Sequence, residues 1–151
     1  MRESVRIRTL RENRGVLEIL LVKERPQEKI KESGEKFTKP AGWGLPGGRR
    51  QEEESLYQAA FREHREETGL EADISLEPSE MFDVESGDHT IYFYEAFEPI
   101  GEIGPLDSDI EIAVWVPLAE ARRGIVGGLP VYQRHLNFIR REPYLLKNPA
   151  S

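Results

Sequence analysis

Glu63, Glu66 and Glu67 stand at i, i+3 and i+4 in a segment that reads as helix. Carboxylates at that spacing are neighbours on the helix surface and repel one another unless a cation lies between them. Oxygen donors of this kind suit Mg²⁺ or Mn²⁺, and the chain offers no thiolate, since it has no cysteine. The same stripe begins with Leu56, Ala59 and Ala60 and runs into Glu63 and Glu67, with Glu66 at its edge. A helix that only covers a core does not pass from small apolar residues to carboxylates along one face, because burying an unpaired carboxylate is expensive. A solvated acidic face is the plain alternative. Against it, the Ala59-Ala60 pair implies that something packs close to this face. A divalent-metal centre is the sharper reading.

The elements that must position these residues follow from local chemistry. Ser55 and Gln58 make a capping-box pair, Glu52, Glu53 and Glu54 favour the positive end of the dipole, and Gly69 supplies a stop. The helix is therefore predicted from Ser55 to Thr68, with Tyr57, Phe61, His64 and Thr68 on the side that packs on a sheet. Gly47-Gly48, directly before it, lets backbone approach a site closely. Upstream, Val5–Leu10 alternates with period two and predicts a half-exposed strand. Glu12–Gly15 is turn chemistry, and Val16–Val22 is nearly all apolar, as in a strand covered on both faces. Residues 23–41 carry both charges, Pro26, Gly34 and Pro40, and predict a long solvated loop. The functional alternative is a lid whose Lys29, Lys31, Lys36 and Lys39 meet an anionic ligand. Further strands are predicted at 72–76, 81–84, 90–97 and 110–116, a short helix at 118–123 and an amphipathic helix at 131–141 stopped by Pro143. Strands mixed with two substantial helices predict a layered α/β domain over residues 1–142, with a tail at 143–151.

The 151 residues, 38% hydrophobic, suffice for one core. The charged, alternating N-terminus is not a secretory signal, and no apolar run is long enough for a membrane helix. A net charge of -7 argues against strong nucleic-acid binding, which needs basic surface. Absent cysteine also removes disulfides and cysteine nucleophiles. These features together predict a cytoplasmic protein.

Gly48, five residues, Glu54, seven residues, then Arg62-Glu63-His64-Arg65-Glu66-Glu67-Thr68-Gly69-Leu70 resembles the Nudix box, G-x5-E-x7-R-E-U-x-E-E-x-G-U with U aliphatic. Trp43–Gly48 before it and Trp115–Leu118 after it look like the usual flanks. The resemblance implies an α-β-α sandwich with a mixed β-sheet. It also implies a hydrolase that uses Mg²⁺, with Mn²⁺ as a substitute, to cleave a nucleoside diphosphate linked to another moiety. Carried over by position, Glu66 and Glu67 would be metal ligands, and Glu63 a further ligand or the base that activates water. Arg62 would orient the cluster through a carboxylate, which a planar guanidinium does well. The Gly48 carbonyl would complete the metal shell, and Glu54 would add an outer or ligating carboxylate. One position departs from the pattern: His64 stands where an aliphatic residue is usual, and reads as a packed, hydrogen-bonded histidine.

Many members of the family add a carboxylate after the box. Glu111 is the first candidate here and Asp109 the second, with edge charges as the plain alternative. For the substrate, Arg6 and Arg8 share a strand face and could reach phosphate, Lys39 would do so from the 23–41 segment, and Tyr92 could stack a nucleobase. A solvated strand face and ordinary sheet packing are the respective alternatives. The signatures of ADP-ribose, diadenosine polyphosphate and RNA 5′-pyrophosphate enzymes are each absent at their usual spacing. The leading expectation is a pyrophosphohydrolase acting on a small nucleotide, such as a nucleoside triphosphate or sugar nucleotide. A catalytically silent nucleotide-binding or sensor module is the alternative, and a full Arg62, Glu63, Glu66, Glu67 set counts against it. An isomerase on a diphosphate substrate is disfavoured by the lack of cysteine. Many small relatives look like homodimers, and an exposed aromatic on an edge strand would suit that.

Overall fold

The computed structural model describes residues 2–31, 33–84, 88–104 and 106–143. The elements up to the first helix are β1 (Arg2–Asn13), β2 (Val16–Glu24), β3 (Gln27–Ile30), β4 (Lys36–Lys39), β5 (Gly42–Gly44), β6 (Gly47–Arg49) and α1 (Leu56–Thr68). After it come β7 (Glu80–Val84), β8 (His89–Phe97), β9 (Ile110–Pro117), α2 (Leu118–Ala121), β10 (Ile125–Val126), β11 (Leu129–Pro130) and α3 (Gln133–Ile139). Among the described residues, seven strands form one sheet in the order β5-β2-β1-β8-β7, with β6 also on β1 and β9 also on β2. Only β1 and β8 pair in parallel there, with Val5 opposite Tyr92; the other pairings are antiparallel, so the sheet is mixed.

Alternation along β1, β2 and β8 divides the core. Val5, Ile7, Tyr94 and Ala96 turn to one face and bury Ala59 and Ala60 of α1. Leu10, Ile19, Leu21 and Phe93 turn to the other and bury Leu118 and Ala121 of α2 with Leu136, Phe138 and Ile139 of α3. Each large aliphatic side chain removed from water in this way contributes about 1.5–3 kcal/mol. Helices on both faces of a mixed sheet make the expected α/β sandwich. The β1–β2 hairpin and the doubly covered β2 are as predicted.

Five expectations change. β1 is central rather than half-exposed, because α1 covers one face, α3 the other, and Arg8 is itself buried. The 23–41 segment is no open loop: β3 and β4 pair as a hairpin, with Gln27 opposite Lys39 and Lys29 opposite Phe37. Its ladder hydrogen bonds hold it where apolar burial is absent. Residues 72–76 form no strand; they meet β8 through the bridge Ile74–Ala96 and through Ser75, whose hydroxyl accepts the Glu95 N–H at 3.2 Å. The buried arc of α1 is centred on Ala60 and Glu67 rather than on Tyr57 and Phe61, and Phe61 is 38% exposed. Two alanines let the helix approach the sheet more closely than aromatic side chains would. The last helix is shorter than 131–141, and the tail expected at 143–151 lies outside the described residues from 144 onward.

Candidate active site

α1 begins and ends as its sequence dictates. The Ser55 hydroxyl accepts the Gln58 N–H at 3.0 Å, the Gln58 side chain accepts the Ser55 N–H at 2.8 Å, and Gly69 closes the helix at φ 76°. This fixes the rotation of the helix, and with it the carboxylates. Glu67 is buried, and its Oε1 accepts the Gly47 N–H at 2.9 Å. Glu63 lies against Gly48 so closely that a Cβ there would stand 2.6 Å from the carboxyl carbon, so only glycine leaves the carboxylate its place. The guanidinium of Arg62 gathers the rest. It donates to both oxygens of Glu54 (2.9 and 2.7 Å), to Glu63 at 2.9 Å, to Glu66 at 3.1 Å and to the Arg49 carbonyl at 3.1 Å. The cation between Glu63 and Glu66 is therefore Arg62, and Glu66 is half-exposed at the outer edge.

Burial pushes the Glu67 carboxyl up to about 8 and raises that of Glu63, against the pull of nearby Arg6 and Arg62 respectively. Hydrogen bonding from Arg62 holds Glu54 below its usual range. Among the described residues, no three His, Asp or Glu side chains gather closely enough to hold a metal ion by themselves. The donor set nevertheless fits a hard divalent ion. Buried Glu67, Glu63 and the Gly48 backbone that Glu63 touches are all oxygen donors, and Glu67 is matched by a single backbone N–H.

These groups form one wall of a cavity of about 570 Å³ between α1, the β3–β4 hairpin and the start of α3. Arg6, Lys29, Lys39 and Gly48 line it. Arg6 donates to the Leu45 carbonyl at 3.1 Å, and Lys39 lies 3.4 Å from Glu24 and 4.3 Å from the centroid of the Tyr132 ring. Three predicted residues are elsewhere. Arg8 is buried under α3, paired with Glu95, stacked over Phe138 at 4.1 Å and bonded to the Phe138 and Arg141 carbonyls at 2.8 Å, so it reaches no ligand. Tyr92 turns to the α1 side and donates to Glu3 at 3.1 Å, while its strand neighbours His89 and Ile91 line the cavity. Glu111 is the extra residue of a bulge between the pairs Lys23–Ile112 and Glu24–Ile110; it is exposed and bound to Lys23 at 3.4 Å. Asp109, outside β9, lines the cavity with Asp107, whose N–H donates to the Glu66 carbonyl at 3.2 Å and ties that turn to the end of α1.

Sequence reasoning missed Glu24, Tyr132 and His135 as lining residues. Glu24 is the charged end of an apolar run. Tyr132 and His135 pass for ordinary members of an amphipathic helix, although the glycines of β5 announce them. A Cβ on Gly42 would meet the Tyr132 ring at 2.6 Å, and one on Gly44 would meet His135 at 2.7 Å.

The sheet, its helices and the carboxylate-bearing helix after a Gly-Gly turn define a fold class, and comparison with known proteins gives the family. The family model for the NUDIX domain matches residues 2–139. The chain belongs to the Nudix hydrolase family. Among solved structures, the NUDIX domain of Shewanella oneidensis NrtR, in complex with ADP ribose, superposes with a TM-score of 0.70 at 22% identity, covering 91% of this chain and 82% of that one. A C. elegans Ap4A hydrolase has a TM-score of 0.67 at 19% identity over 93% of both chains. The mutator MutT protein from Bacillus halodurans has 0.63 at 17% identity, over 93% and 81%. A search of curated protein sequences finds no match.

Proposed function

We propose that the chain is a Mg²⁺-dependent pyrophosphohydrolase, with Mn²⁺ able to substitute, acting on a small nucleotide in which a nucleoside diphosphate is linked to another moiety. The observation that carries this reading is Glu67, a carboxylate buried at the cavity wall beside Glu63 and the Gly47-Gly48 turn, in a pocket also lined by Arg6, Lys29 and Lys39. Glu63, Glu67 and the Gly48 carbonyl would hold the ion, with Glu66 at the outer edge. When bound, a divalent ion supplies neutralisation of phosphate charge and acidifies the attacking water.

The chain's own groups do the rest. Arg62 clamps Glu54, Glu63 and Glu66, so that the carboxylates do not spread apart. Arg6 and Lys39 draw the phosphate oxygens into the cavity. Water attacks phosphorus, the bridging P–O bond breaks, and Glu63 takes the proton. Asp109 is the carboxylate that lies beyond the box.

Product release from a nucleotide panel with Mg²⁺, Mn²⁺ or EDTA tests this directly. Metal-dependent cleavage is expected, and Glu67→Gln is expected to lower turnover by about 10²-fold or more while nucleotide binding persists. Full activity in Glu67→Gln would refute the assignment. Nucleotide binding by wild type without cleavage of any panel member would make the chain a binding module.

A further inference from the structure

Leu45, two residues before the Gly-Gly turn, ties a further polar group to the cavity. Its carbonyl accepts the Arg6 Nη1 at 3.1 Å, and its N–H donates to the Nδ1 of His135 at 2.9 Å. The next residues of the same segment serve the carboxylates: the Gly47 N–H donates to Glu67, and Glu63 lies against Gly48. One short stretch of backbone thus holds His135, Arg6 and both carboxylates in register. His135 is 5% exposed and lines the cavity. Its ring is held by Gly44, where a Cβ would stand 2.7 Å from Nδ1, by Tyr132 at a ring separation of 5.7 Å and by Phe93 at 6.4 Å. Because Nδ1 accepts a backbone N–H it carries no proton, and the proton of the neutral ring is on Nε2. Among the described residues, nothing accepts that proton.

The surroundings of that donor are cationic. Burial, and after it the charges of Arg6, Lys39 and Arg134, hold the ring well below its ordinary pKa. Lys39 reaches the same corner, with its ammonium 4.3 Å from the centroid of the Tyr132 ring that lies against His135. A neutral N–H set among positive charges is matched to an anionic acceptor. It adds a hydrogen bond to a phosphate oxygen without adding to the repulsion between the cations that already face it. We infer that His135 is a phosphate-binding residue, donating its Nε2–H to an oxygen of the diphosphate that Arg6 and Lys39 neutralise. This rests on the nucleotide reading of the cavity made above.

Two substitutions divide the ring between its nitrogens. Asparagine places its carbonyl oxygen where Nδ1 stands, so His135→Asn keeps the Leu45 hydrogen bond and loses the donor. Glutamine places its amide nitrogen where Nε2 stands, so His135→Gln keeps the donor and strands the Leu45 N–H. Binding of inorganic triphosphate and of ADP, each with Mg²⁺, is measured by calorimetry in the Glu67→Gln background, while hydrolysis by wild type is scored independently. His135→Asn is expected to weaken both ligands about tenfold or more, the loss of one hydrogen bond to a charged group, with its urea midpoint unchanged. His135→Gln is expected to bind both ligands as its parent does, with a lowered urea midpoint. The reverse order of affinities, or equal affinities in the two variants, would overturn the inference, because the ring would then serve only Leu45 or the packing. A loss for ADP with triphosphate binding unaltered would place His135 at the nucleoside and also overturn it. A readout that needs no change at residue 135 is the imidazole Nε2–H resonance, which saturating triphosphate should move; a resonance that stays in place would refute the contact. A chain that binds triphosphate through His135 yet cleaves nothing would sink the hydrolase reading and leave this one standing.

Discussion

His64 occupies the box position that is usually aliphatic, and its surroundings predict how stability depends on pH. The imidazole is 1% exposed. Its Nε2 shares a 2.7 Å hydrogen bond with the Thr9 hydroxyl, and its Nδ1 is 3.4 Å from the Thr68 hydroxyl. That second hydroxyl already donates to the His64 carbonyl at 2.7 Å, so Nδ1 is the protonated nitrogen and Thr9 donates to Nε2. The neutral ring is thus satisfied at both nitrogens, and burial lowers its pKa from 6.5 to about 4. Below pH 6.5 the unfolded chain takes up a proton that the folded chain refuses, so stability falls as pH drops and stops falling below about 4. The linkage relation puts the loss at about 2 kcal/mol by pH 5 and about 3 kcal/mol by pH 4. The matching perturbation is the double variant Thr9→Val with His64→Leu, which replaces both partners by apolar groups of similar shape and is expected to stay within about 1 kcal/mol of wild type at pH 7.5. Urea unfolding of both proteins from pH 7.5 to 4 isolates the histidine, because every other titrating group, His135 and Glu67 included, is common to the two. The variant should gain on wild type by the amounts above. A difference that stays flat across the range would refute the neutral, buried His64.

Four further changes probe the site and its frame. Arg62→Lys is expected to cut turnover about 10–100-fold, because an ammonium cannot reproduce a fork that binds Glu54 through two nitrogens while reaching Glu63 and Glu66; retained turnover would show that the fork is dispensable. Gly48→Ala places a methyl group 2.6 Å from the Glu63 carboxyl carbon, a flexible end that can move, so turnover should drop while the urea midpoint stays within experimental scatter. Arg8→Met should lower unfolding free energy by about 3–5 kcal/mol, by stranding buried Glu95, and leave KM alone. Arg6→Met should instead raise KM about tenfold or more with little change in stability, and the reverse pattern would show that the two arginines have been assigned to the wrong roles.

The parts of the chain legible from sequence are those whose reasons are local. Ser55, Gln58 and Gly69 fix the ends of α1 within their own neighbourhood, and the box spacing is carried by that one helix. What failed depended on partners remote in sequence. Arg8 reads as half of a solvated strand face because nothing near it indicates Glu95, which reaches it only across the parallel β1–β8 pairing, where Arg8 and Glu95 are register partners. Glu111 fails by one residue: a bulge against β2 takes it out of step with Asp109, and period-two reasoning cannot register an insertion that the partner strand creates. The rotation of α1 is legible only in part, because aromatic residues outweigh alanines in any hydrophobic count: His64 and Thr68 are buried as expected, but Ala59 and Ala60 are buried with them while Phe61 is exposed.

The same logic explains why the box identifies a family and leaves the ligand open. Glu63, Glu66, Glu67 and Arg62 come from one helix, so their relative placement is inherited whenever that helix forms. The opposite wall is assembled from the end of β2, the β3–β4 hairpin and the start of α3, segments separated by more than a hundred residues between Glu24 and His135. No short motif can encode such a wall. Its trace in the sequence is indirect: β5 is Gly42-Trp43-Gly44, and its two glycines are small because Tyr132 and His135 lie against them. A larger residue at either glycine would displace this aromatic pair, which lines the cavity. Substitutions at Gly42 and Gly44 should therefore alter how tightly a nucleotide binds before they alter how fast the bound one is cleaved, and comparing KM with kcat in Gly44→Ala reads that separation directly.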